Sequence, residues 1–380
     1  MAQAVIFGAG KIARGFLGHL MFRSGVTFAF IEKADALVEL MRSRGRYTVR
    51  VLGAPDKGDV VTGFRVYSSE DREGIRAEMR DAEAVFTAVG GKNLTELSPV
   101  IGFALSCADR AMNVITCENW KDPARILEER IRPMGLTFPV GFAESVVMRS
   151  AIEPDPEDLA RDPLTVNVQD YWRLPVDASK LVAPLIKVEG IEPMDDFAGF
   201  LERKFYTYNA ANGTVSYLGA LLGYKRIADA AWDERVAGVL EMVYQETGRA
   251  LASKHGMSLE KQLEFAATSR TKLRDRVIVD NIERNARDPL RKLGPGDRLV
   301  GPARLCERYG VTPEGIATAI AAAIHYQSPG DPSAEQLQAM RSANGTAYVL
   351  KTVCMISPDE PLGRLVLNKE REIADRGWLK

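Results

Sequence analysis

Short apolar runs alternate with amphipathic segments of helical period along the N-terminal half of the chain. Runs bounded by glycine or polar residues are typical of strands in a parallel sheet, because helices cover both faces of such a sheet. The predicted strands cover residues 4–7, 27–31, 47–52, 60–67, 84–89, 112–116 and 138–142. The predicted helices between them include residues 35–44, 71–80 and 101–109. This alternation predicts the α/β class, with a doubly wound, Rossmann-type sheet.

The pattern changes near residue 190. Residues 165–170 still alternate apolar and polar side chains, as in an edge or antiparallel strand, whereas later apolar residues recur at helical spacing. Glycine, proline and two aspartates within residues 189–196 favour a domain junction. We therefore predict a Rossmann-type dinucleotide-binding domain over residues 1–190 and a mainly α-helical substrate domain over residues 191–380.

The composition supports two folded domains, since 380 residues exceed one ordinary core and 46% of them are hydrophobic. The formal net charge of −1 disfavours nucleic acid or an anionic membrane as a partner. The four cysteines lie far apart and the three histidines share no ligand spacing, so the sequence predicts no metal site. We find no signal-like segment or membrane-length apolar run, and therefore expect a cytoplasmic protein. The pattern gives no indication of an oligomeric state.

The first predicted strand ends in a glycine motif. Residues 8–13 follow the G-x-G-x-x-A pattern, in which the first glycine allows a tight turn and the second lets a pyrophosphate approach the backbone. Glu32 ends the next strand, about 20 residues later, where an acid binds ribose hydroxyls and repels the 2′-phosphate of NADP. The motif therefore predicts NAD as the cofactor, with the neighbouring Lys33 opposing this preference. The predicted cofactor-binding residues are Phe7, Gly8, Gly10, Lys11, Ile12, Glu32, Ala88, Val89 and Gly90.

A second candidate for chemistry follows the predicted junction, where Lys204, Asn209 and Asn212 lie close in sequence. On a continuous α-helix, Lys204 and Asn209 would lie about 140° apart and could not face one ligand. We therefore predict a break before Asn209, which makes it a helix N-cap and places Asn212 on the same side of the first turn. Lysine and amide groups so arranged can meet an alkoxide or carbonyl oxygen. The alternative is a capped surface helix with a solvated lysine.

Several motifs, spread in order over nearly the whole chain, match those of a known family. They are residues 7–16 (FGAGKIARGF), 116–119 (TCEN), 140–142 with Ser145, Lys204 with Asn209, 289–293 (PLRKL), 296–299 (GDRL), and 320–326 (IAAAIHY) with 331–332. Together they resemble the polyol-specific long-chain dehydrogenases, that is, the mannitol dehydrogenase family.

The resemblance implies a metal-independent, NAD-dependent oxidoreductase. Its hydride transfer would link the nicotinamide with a secondary alcohol or ketone, and its partner would be a small polyol, ketose or sugar phosphate. The resemblance also implies that Lys204 is the general base and that Asn119 and Asn209 stabilise the developing alkoxide. The family pattern has a histidine where this chain has Asn212, which implies an altered substrate-orienting group at a catalytic position.

Basic residues concentrate between residues 270 and 298, where nine of them stand against five acidic residues. Ion pairs on a solvated helix face explain most such charges. The alternative is that some of them line a site for a phosphate dianion, which suits the planar guanidinium of arginine. Because residues 289–293 and 296–299 belong to the motifs above, we take Arg291, Lys292 and Arg298 as candidate phosphate ligands.

Two other functions stay open at this point. The asparagine at position 212 is compatible with a protein that binds NAD as a sensor or scaffold, without turnover. The same scaffold is also compatible with a reductase of a sugar acid or an opine-like substrate.

Overall fold

A computed structural model describes residues 3–379 of the chain. The described residues fall into two compact units, one ending at Phe197 and the other beginning at Ala198. The strands lie in the first unit, and the second unit is built from helices. None of the described helices is both long enough and apolar enough to span a membrane.

The strands of the first unit are the elements that position its candidate site. In chain order they are β1 (Gln3–Phe7), β2 (Thr27–Glu32), β3 (Arg46–Val51), β4 (Asp59–Thr62), β5 (Arg65–Ser68), β6 (Ala84–Thr87), β7 (Met112–Thr116), β8 (Val140–Glu144), β9 (Ala151–Ile152), β10 (Val166–Val168), β11 (Leu174–Asp177) and β12 (Ile191–Met194). Within residues 3–379, the main sheet has six strands in the order β5-β2-β1-β6-β7-β8, all parallel. This order confirms the doubly wound, Rossmann-type prediction, and ligands of such sheets bind at the carboxyl ends of the central strands.

Strand β1 illustrates why the apolar runs of this sheet are continuous. Ala4 and Ile6 pack into one core cluster, whereas Val5 and Phe7 pack into another. Successive side chains of a strand point to opposite faces, so a sheet that is covered on both faces needs apolar residues at every position.

Smaller sheets complete the first unit, correct the prediction for residues 60–67 and decide between the two alternatives for residues 165–170. The predicted strand 60–67 is divided at Gly63, whose φ of +74° allows a turn: β4 pairs with β3, whereas β5 is the edge of the main sheet. Residues 165–170 contain β10, which lies between β3 and β9 rather than at a sheet edge. β10 is antiparallel to β9 and parallel to β3.

The helices connect the strands in the first unit and form the whole framework of the second. In chain order they are α1 (His19–Arg23), α2 (Asp35–Arg44), α3 (Arg72–Asp81), α4 (Leu94–Ser106), α5 (Pro123–Ile131), α6 (Pro156–Arg161), α7 (Phe197–Lys204), α8 (Ala210–Leu221), α9 (Ile227–Trp232), α10 (Glu234–His255), α11 (Leu259–Leu273), α12 (Ile282–Ala286), α13 (Pro289–Lys292), α14 (Val300–Arg308), α15 (Glu314–Ile324), α16 (Pro332–Asn344), α17 (Thr346–Thr352) and α18 (Pro361–Asp375). Helix α4 begins before the predicted residues 101–109, because its first turn exposes Thr95 and Glu96 and so hides the apolar spacing.

Helix α15 lies at the centre of the second unit. Its residues 315–324 are all buried and almost entirely apolar, as expected of a helix that is surrounded by others. Helices α8, α10 and α18 pack against it. The mainly helical character predicted for the later part of the chain is therefore confirmed.

The two compact units meet between Phe197 and Ala198, and the domain bounds 1–190 and 191–380 stay a prediction. The segment 189–196 contains β12, which pairs in parallel with β11. This pairing keeps the segment in the first unit, so the chain enters the second unit only after the strand.

Candidate functional site

A tight turn follows β1, and its conformation requires glycine at position 8. Gly8 has a φ of +92°, and a Cβ there would lie 2.6 Å from the carbonyl oxygen of Ala88, so both conditions exclude a side chain. At Gly10, by contrast, no heavy atom of the described residues other than its chain neighbours lies within 4 Å of the Cβ position. Gly10 is exposed, so its backbone is open to a group such as a pyrophosphate.

Glu32, at the carboxyl end of β2, holds the glycine turn with its side chain. Its Oε2 accepts a hydrogen bond from the N–H of Ala9 at 2.7 Å. Its Oε1 accepts from the N–H groups of Lys33 and Ala34 at 2.9 and 3.0 Å. The ammonium group of Lys33 lies 3.2 Å from the carboxylate of Glu96. The carboxylate of Glu32 is therefore fixed at the turn, and Lys33 has a counter-charge of its own.

The loop after β6 lies against the glycine turn and is anchored by Glu118. A Cβ on Gly8 would lie 3.1 Å from Cγ1 of Val89. The N–H groups of Val89 and Gly90 donate to the two carboxylate oxygens of Glu118 at 2.9 and 2.8 Å. Burial raises the pKa of Glu118, and the amide hydrogen bonds oppose this rise. Glu118 is not among the residues predicted from the sequence, although a carboxylate two residues after a buried strand needs a partner and so signals such a role.

The other residues predicted for this region flank the turn. Phe7 is buried at the end of β1, and Ile12 is half-buried. Lys11 is exposed and forms an ion pair with Glu153. Asn119 follows Glu118 and is exposed. The first unit thus brings the glycine turn, Glu32 and the loop 88–90 together.

In the second unit, Lys204, Asn209 and Asn212 lie on one continuous helical run, and the predicted break before Asn209 is wrong. Helix α7 passes into a π-helical segment, Phe205–Asn209, which passes into α8. Asn209 has helical backbone angles (φ −77°, ψ −32°), and its side chain makes no capping bond to a described residue.

The π-helical segment removes the difficulty that led to the predicted break. In a π-helix each N–H bonds to the carbonyl five residues earlier, as the N–H of Ala210 does to Phe205. Residues that are five apart therefore lie above one another. Lys204 and Asn209 share a helix face for this reason.

Contacts from distant helices hold the π-helical segment. Gln262, fully buried on α11, donates from Nε2 to the hydroxyl of Thr207 at 2.9 Å and accepts from Nε of Arg203 at 2.8 Å. Tyr206 packs over Gly301, where a Cβ would lie 2.7 Å from the tyrosine hydroxyl. Each hydrogen-bonded turn of a π-helical segment contains one residue more than that of an α-helix, and these contacts stabilise the segment. Such segments are common at functional sites.

Arg298 and Lys272 act electrostatically on or with Lys204, and Lys292 is coupled to Arg298. Burial is the main cause that lowers the pKa of three lysines here, and a neighbouring positive charge adds to it in each case. The charge of Arg298 adds to the effect at Lys204. The charge of Lys204 adds to it at Lys272, whose pKa is about 8, and the charges of Arg298 and Arg291 add to it at Lys292, whose pKa is also about 8. This concentration of positive charge makes the region a candidate site for an anion.

The predicted phosphate ligands differ in where they lie. The stem of Arg298 passes over α8 at Gly213, where a Cβ would lie 3.3 Å from its Cδ. Lys292 is buried. Arg291 is 55% exposed, and its guanidinium is held by Asp288 and Asp297 at 2.7 and 3.1 Å. The structure therefore brings Arg298 and Lys292 to the candidate site, and leaves Arg291 in ion pairs at the surface.

Asn212 belongs to a chain of hydrogen-bonded side chains that the sequence analysis also missed. Its Nδ2 donates to Oδ1 of Asn285 at 3.1 Å, and Nδ2 of Asn285 donates to Oδ1 of Asp280 at 2.6 Å. Lys292 donates to the backbone carbonyl of Asn285. Because 73 residues separate Asn212 from Asn285, no local pattern could signal their contact.

Comparison with known proteins identifies two matching family profiles. "Mannitol dehydrogenase Rossmann domain" matches residues 2–190, and "Mannitol dehydrogenase C-terminal domain" matches residues 196–356. The mannitol-1-phosphate 5-dehydrogenase of Brevibacillus brevis is 32% identical over 98% of this chain and 98% of its own length. The enzyme of the same name from Thermoanaerobacter pseudethanolicus is 28% identical over 99% of both chains.

Solved structures share the fold at lower identity. A D-sorbitol dehydrogenase in substrate-free form matches with a TM-score of 0.76 and 14% identity, covering 99% of this chain and 93% of the other. Pseudomonas fluorescens mannitol 2-dehydrogenase, in a ternary complex with NAD and D-mannitol, matches with a TM-score of 0.68 and 14% identity, covering 99% and 92%. Both profiles and the full-length relatives give one conclusion: the chain belongs to the mannitol dehydrogenase family.

Proposed function

We propose that this protein is an NAD-dependent dehydrogenase of a polyol, and specifically of a polyol phosphate, which it interconverts with the matching ketose phosphate. The observation that supports this most directly is the π-helical segment, which puts Lys204 and Asn209 on one helix face, near Arg298. Full-length relatives named mannitol-1-phosphate 5-dehydrogenase support the same substrate class.

Gly8, Gly10 and Glu32 would hold the dinucleotide. The open backbone at Gly10 admits a pyrophosphate, and the fixed carboxylate of Glu32 can accept hydrogen bonds from ribose hydroxyls. That carboxylate repels a 2′-phosphate, and Lys33 is already paired with Glu96, so NAD is favoured over NADP. A bound nicotinamide would supply the hydride acceptor for oxidation of the alcohol and the hydride donor for reduction of the ketone.

Lys204 is the general base of the proposed reaction. A base must be unprotonated to act, and burial together with the charge of Arg298 favours the neutral amine. Its Nζ takes the hydroxyl proton in the oxidation and returns it in the reduction. Asn209 donates from its amide to the substrate oxygen as that oxygen becomes negative. Asn119, in the first unit, is the second donor that the family resemblance implies.

Lys292 and Arg298 bind the phosphate group of the substrate. Burial is the main cause of the lowered lysine pKa values and mutual repulsion adds to it, so a dianion at this point would relieve the second contribution. The Nε of Arg298 donates to Asp297 at 3.0 Å, so its Nη groups are the donors that it would offer a phosphate, and Lys292 offers a compact charge. Lys272 adds a third cation, whereas the exposed Arg291 is satisfied by its two aspartates.

A substrate panel with NADH absorbance as the readout tests the proposal. It should contain polyols, ketoses, their phosphates, sugar acids and opine-like keto acids. We expect the highest kcat/KM with a polyol phosphate or ketose phosphate. NADH binding without turnover would favour the sensor or scaffold, and turnover of a sugar acid alone would favour a different reductase. If kcat/KM is equal for a polyol and for its phosphate, the part of the proposal that concerns the phosphate group is wrong.

A further inference from the structure

The side chain of Asn212 is held in one orientation by residues that take no part in the proposed reaction. Its Nδ2 donates to Oδ1 of Asn285 at 3.1 Å. Nδ2 of Asn285 donates in turn to Oδ1 of Asp280 at 2.6 Å and to the carbonyl of Asn281 at 2.9 Å. If the amide of Asn285 were reversed, its oxygen would face two acceptors. The carboxylate of Asp280 therefore fixes the direction of every hydrogen bond in this chain.

Helices α8 and α12, which carry Asn212 and Asn285, contact each other close to these two side chains. The hydroxyl of Tyr217 on α8 donates to the carbonyl of Ala286 on α12 at 3.0 Å. Gly219 leaves space for Ile282, since a Cβ on that glycine would lie 2.6 Å from Cδ1 of the isoleucine. Asn285 is therefore held by backbone packing as well as by its own hydrogen bonds.

We propose that Asp280 and Asn285 are positioning residues that present Oδ1 of Asn212 as an acceptor to a substrate hydroxyl. This inference rests on the proposed function, because it assigns a specificity role within the same site. With Nδ2 engaged by Asn285, the oxygen of Asn212 points away from Asn285. A hydroxyl donates to such an oxygen, whereas a ketone oxygen or a C–H group at that carbon does not.

The position of Asn212 indicates which hydroxyl of the substrate would donate to it. Asn212 lies three residues beyond Asn209, a spacing that makes the two side chains neighbours on the helix surface. Because Asn209 meets the reacting oxygen in the proposed mechanism, Asn212 meets a hydroxyl close to the reacting carbon. The substrate class is thus a polyol phosphate with a free hydroxyl beside the carbon that is oxidised.

The test compares mannitol 1-phosphate with its monodeoxy analogues in the full-length protein. Wild type should prefer mannitol 1-phosphate over one of these analogues by about tenfold or more in kcat/KM, since an acceptor that the bound analogue covers without a hydrogen bond has a cost of that order. Asn285→Leu should bring this ratio close to one, through loss of efficiency with mannitol 1-phosphate and little change with that analogue. Asp280→Asn should reduce the ratio in part, because an amide at 280 tolerates either orientation of Asn285.

Two further variants separate positioning from a merely structural role. Arg284→Ala is the matched control, since Arg284 is an exposed partner of Asp280, with 3.3 Å between Nη2 and Oδ1, and the preference should persist. The double variant Asn212→Leu/Asn285→Leu should be no more defective than Asn212→Leu alone, because Asn285 acts through Asn212.

Equal losses with every probe, an unchanged ratio, or additive defects in the double variant would overturn the inference and leave the dehydrogenase function standing. If wild type turns over no polyol or polyol phosphate, the proposed function is wrong and the inference falls with it. Thermal unfolding of each variant identifies losses that come from misfolding, in which case Asp280→Asn decides.

Discussion

The glycine turn of the first unit and the π-helical segment of the second place chemical groups by different physical means. The turn depends on residues whose spacing the motif prescribes: Gly8 adopts a φ of +92°, and Glu32, at the end of the next strand, accepts from the N–H of Ala9. The π-helical segment depends on distant residues, above all the buried Gln262. A local rule can therefore be read from the sequence, whereas the period of a helix is decided by tertiary packing.

The first unit contains a π-helical segment too, which sharpens this contrast. Ala13–Gly18 is π-helical, and the hydroxyl of Tyr47 donates to the carbonyl of Arg14 there at 3.2 Å. A Cβ on Gly15, two residues beyond the glycine motif, would lie 2.7 Å from Cγ1 of Val166 and of Val168, so helix packing requires a glycine there. The motif predicted neither this close approach nor the change of helical period that accompanies it.

The largest expected effect is at Lys204, the residue that the π-helical segment places beside Asn209. Lys204→Ala should lower kcat by about 10²- to 10⁴-fold, because general base catalysis contributes that much. NADH binding should persist, since the cofactor residues belong to the first unit. Steady-state kinetics and a fluorescence titration with NADH measure the two quantities. Lys261→Ala, exposed on α11, is the control, and a loss of NADH affinity in Lys204→Ala would mean that the lysine is structural.

The next effect concerns the phosphate ligands. Lys292→Met should raise the KM for a phosphorylated substrate by about 10- to 100-fold, because a charge-assisted hydrogen bond is lost. Arg291→Gln should change it by about twofold or less, since exposed ion pairs contribute little. With a pKa of about 8, Lys292 is protonated below that pH and neutral above it, so the KM should rise as the pH passes 8. A larger effect at Arg291 than at Lys292 would contradict this assignment.

These two adjacent residues also show where sequence reasoning stops. The motif 289–293 indicated a substrate site, but neighbouring residues on a helix point in different directions, so the pattern could not say which of Arg291 and Lys292 faces inward. The class of the sheet, the glycine turn and the position of Glu32 were predictable because they follow from hydrophobic periodicity and from a motif of fixed spacing. Glu118 and Asn285 were missed because their partners lie in other elements.

A third prediction compares Gly8 with Gly10. Gly8→Ala should lower the free energy of unfolding by about 1–3 kcal/mol, because of its positive φ and its contact with Ala88. Gly10→Ala should leave stability within about 0.5 kcal/mol of wild type, because its Cβ meets open space. Its affinity for NADH should nevertheless fall, since the methyl group takes the room of the pyrophosphate. Urea denaturation and NADH titration distinguish the two, and equal stability losses would contradict the comparison.

A fourth prediction uses pH to test the coupling between Arg298 and Lys204. Burial and, to a smaller extent, the charge of Arg298 lower the pKa of Lys204, so Arg298→Gln should raise it. Because the base acts only when unprotonated, the acid limb of the kcat profile for alcohol oxidation should move to higher pH, by about one unit or less. Saturating substrate keeps the loss of binding out of this measurement. A limb that stays in place would separate Arg298 from the base.

The smallest effect is expected in the choice between NAD and NADP, which tests the role of Glu32 without the residues of the second unit. Glu32→Ser should reduce the preference for NAD over NADP by about tenfold, because repulsion of the 2′-phosphate disappears. Lys33→Ala should change the preference less, since Lys33 is paired with Glu96. Adding Glu96→Ala to Glu32→Ser releases Lys33 toward the 2′-phosphate, and should favour NADP by only a few-fold more, because both partners are exposed. The ratio of kcat/KM values for the two cofactors measures each step. If Lys33→Ala changes this ratio more than Glu32→Ser does, the lysine rather than the glutamate controls cofactor choice.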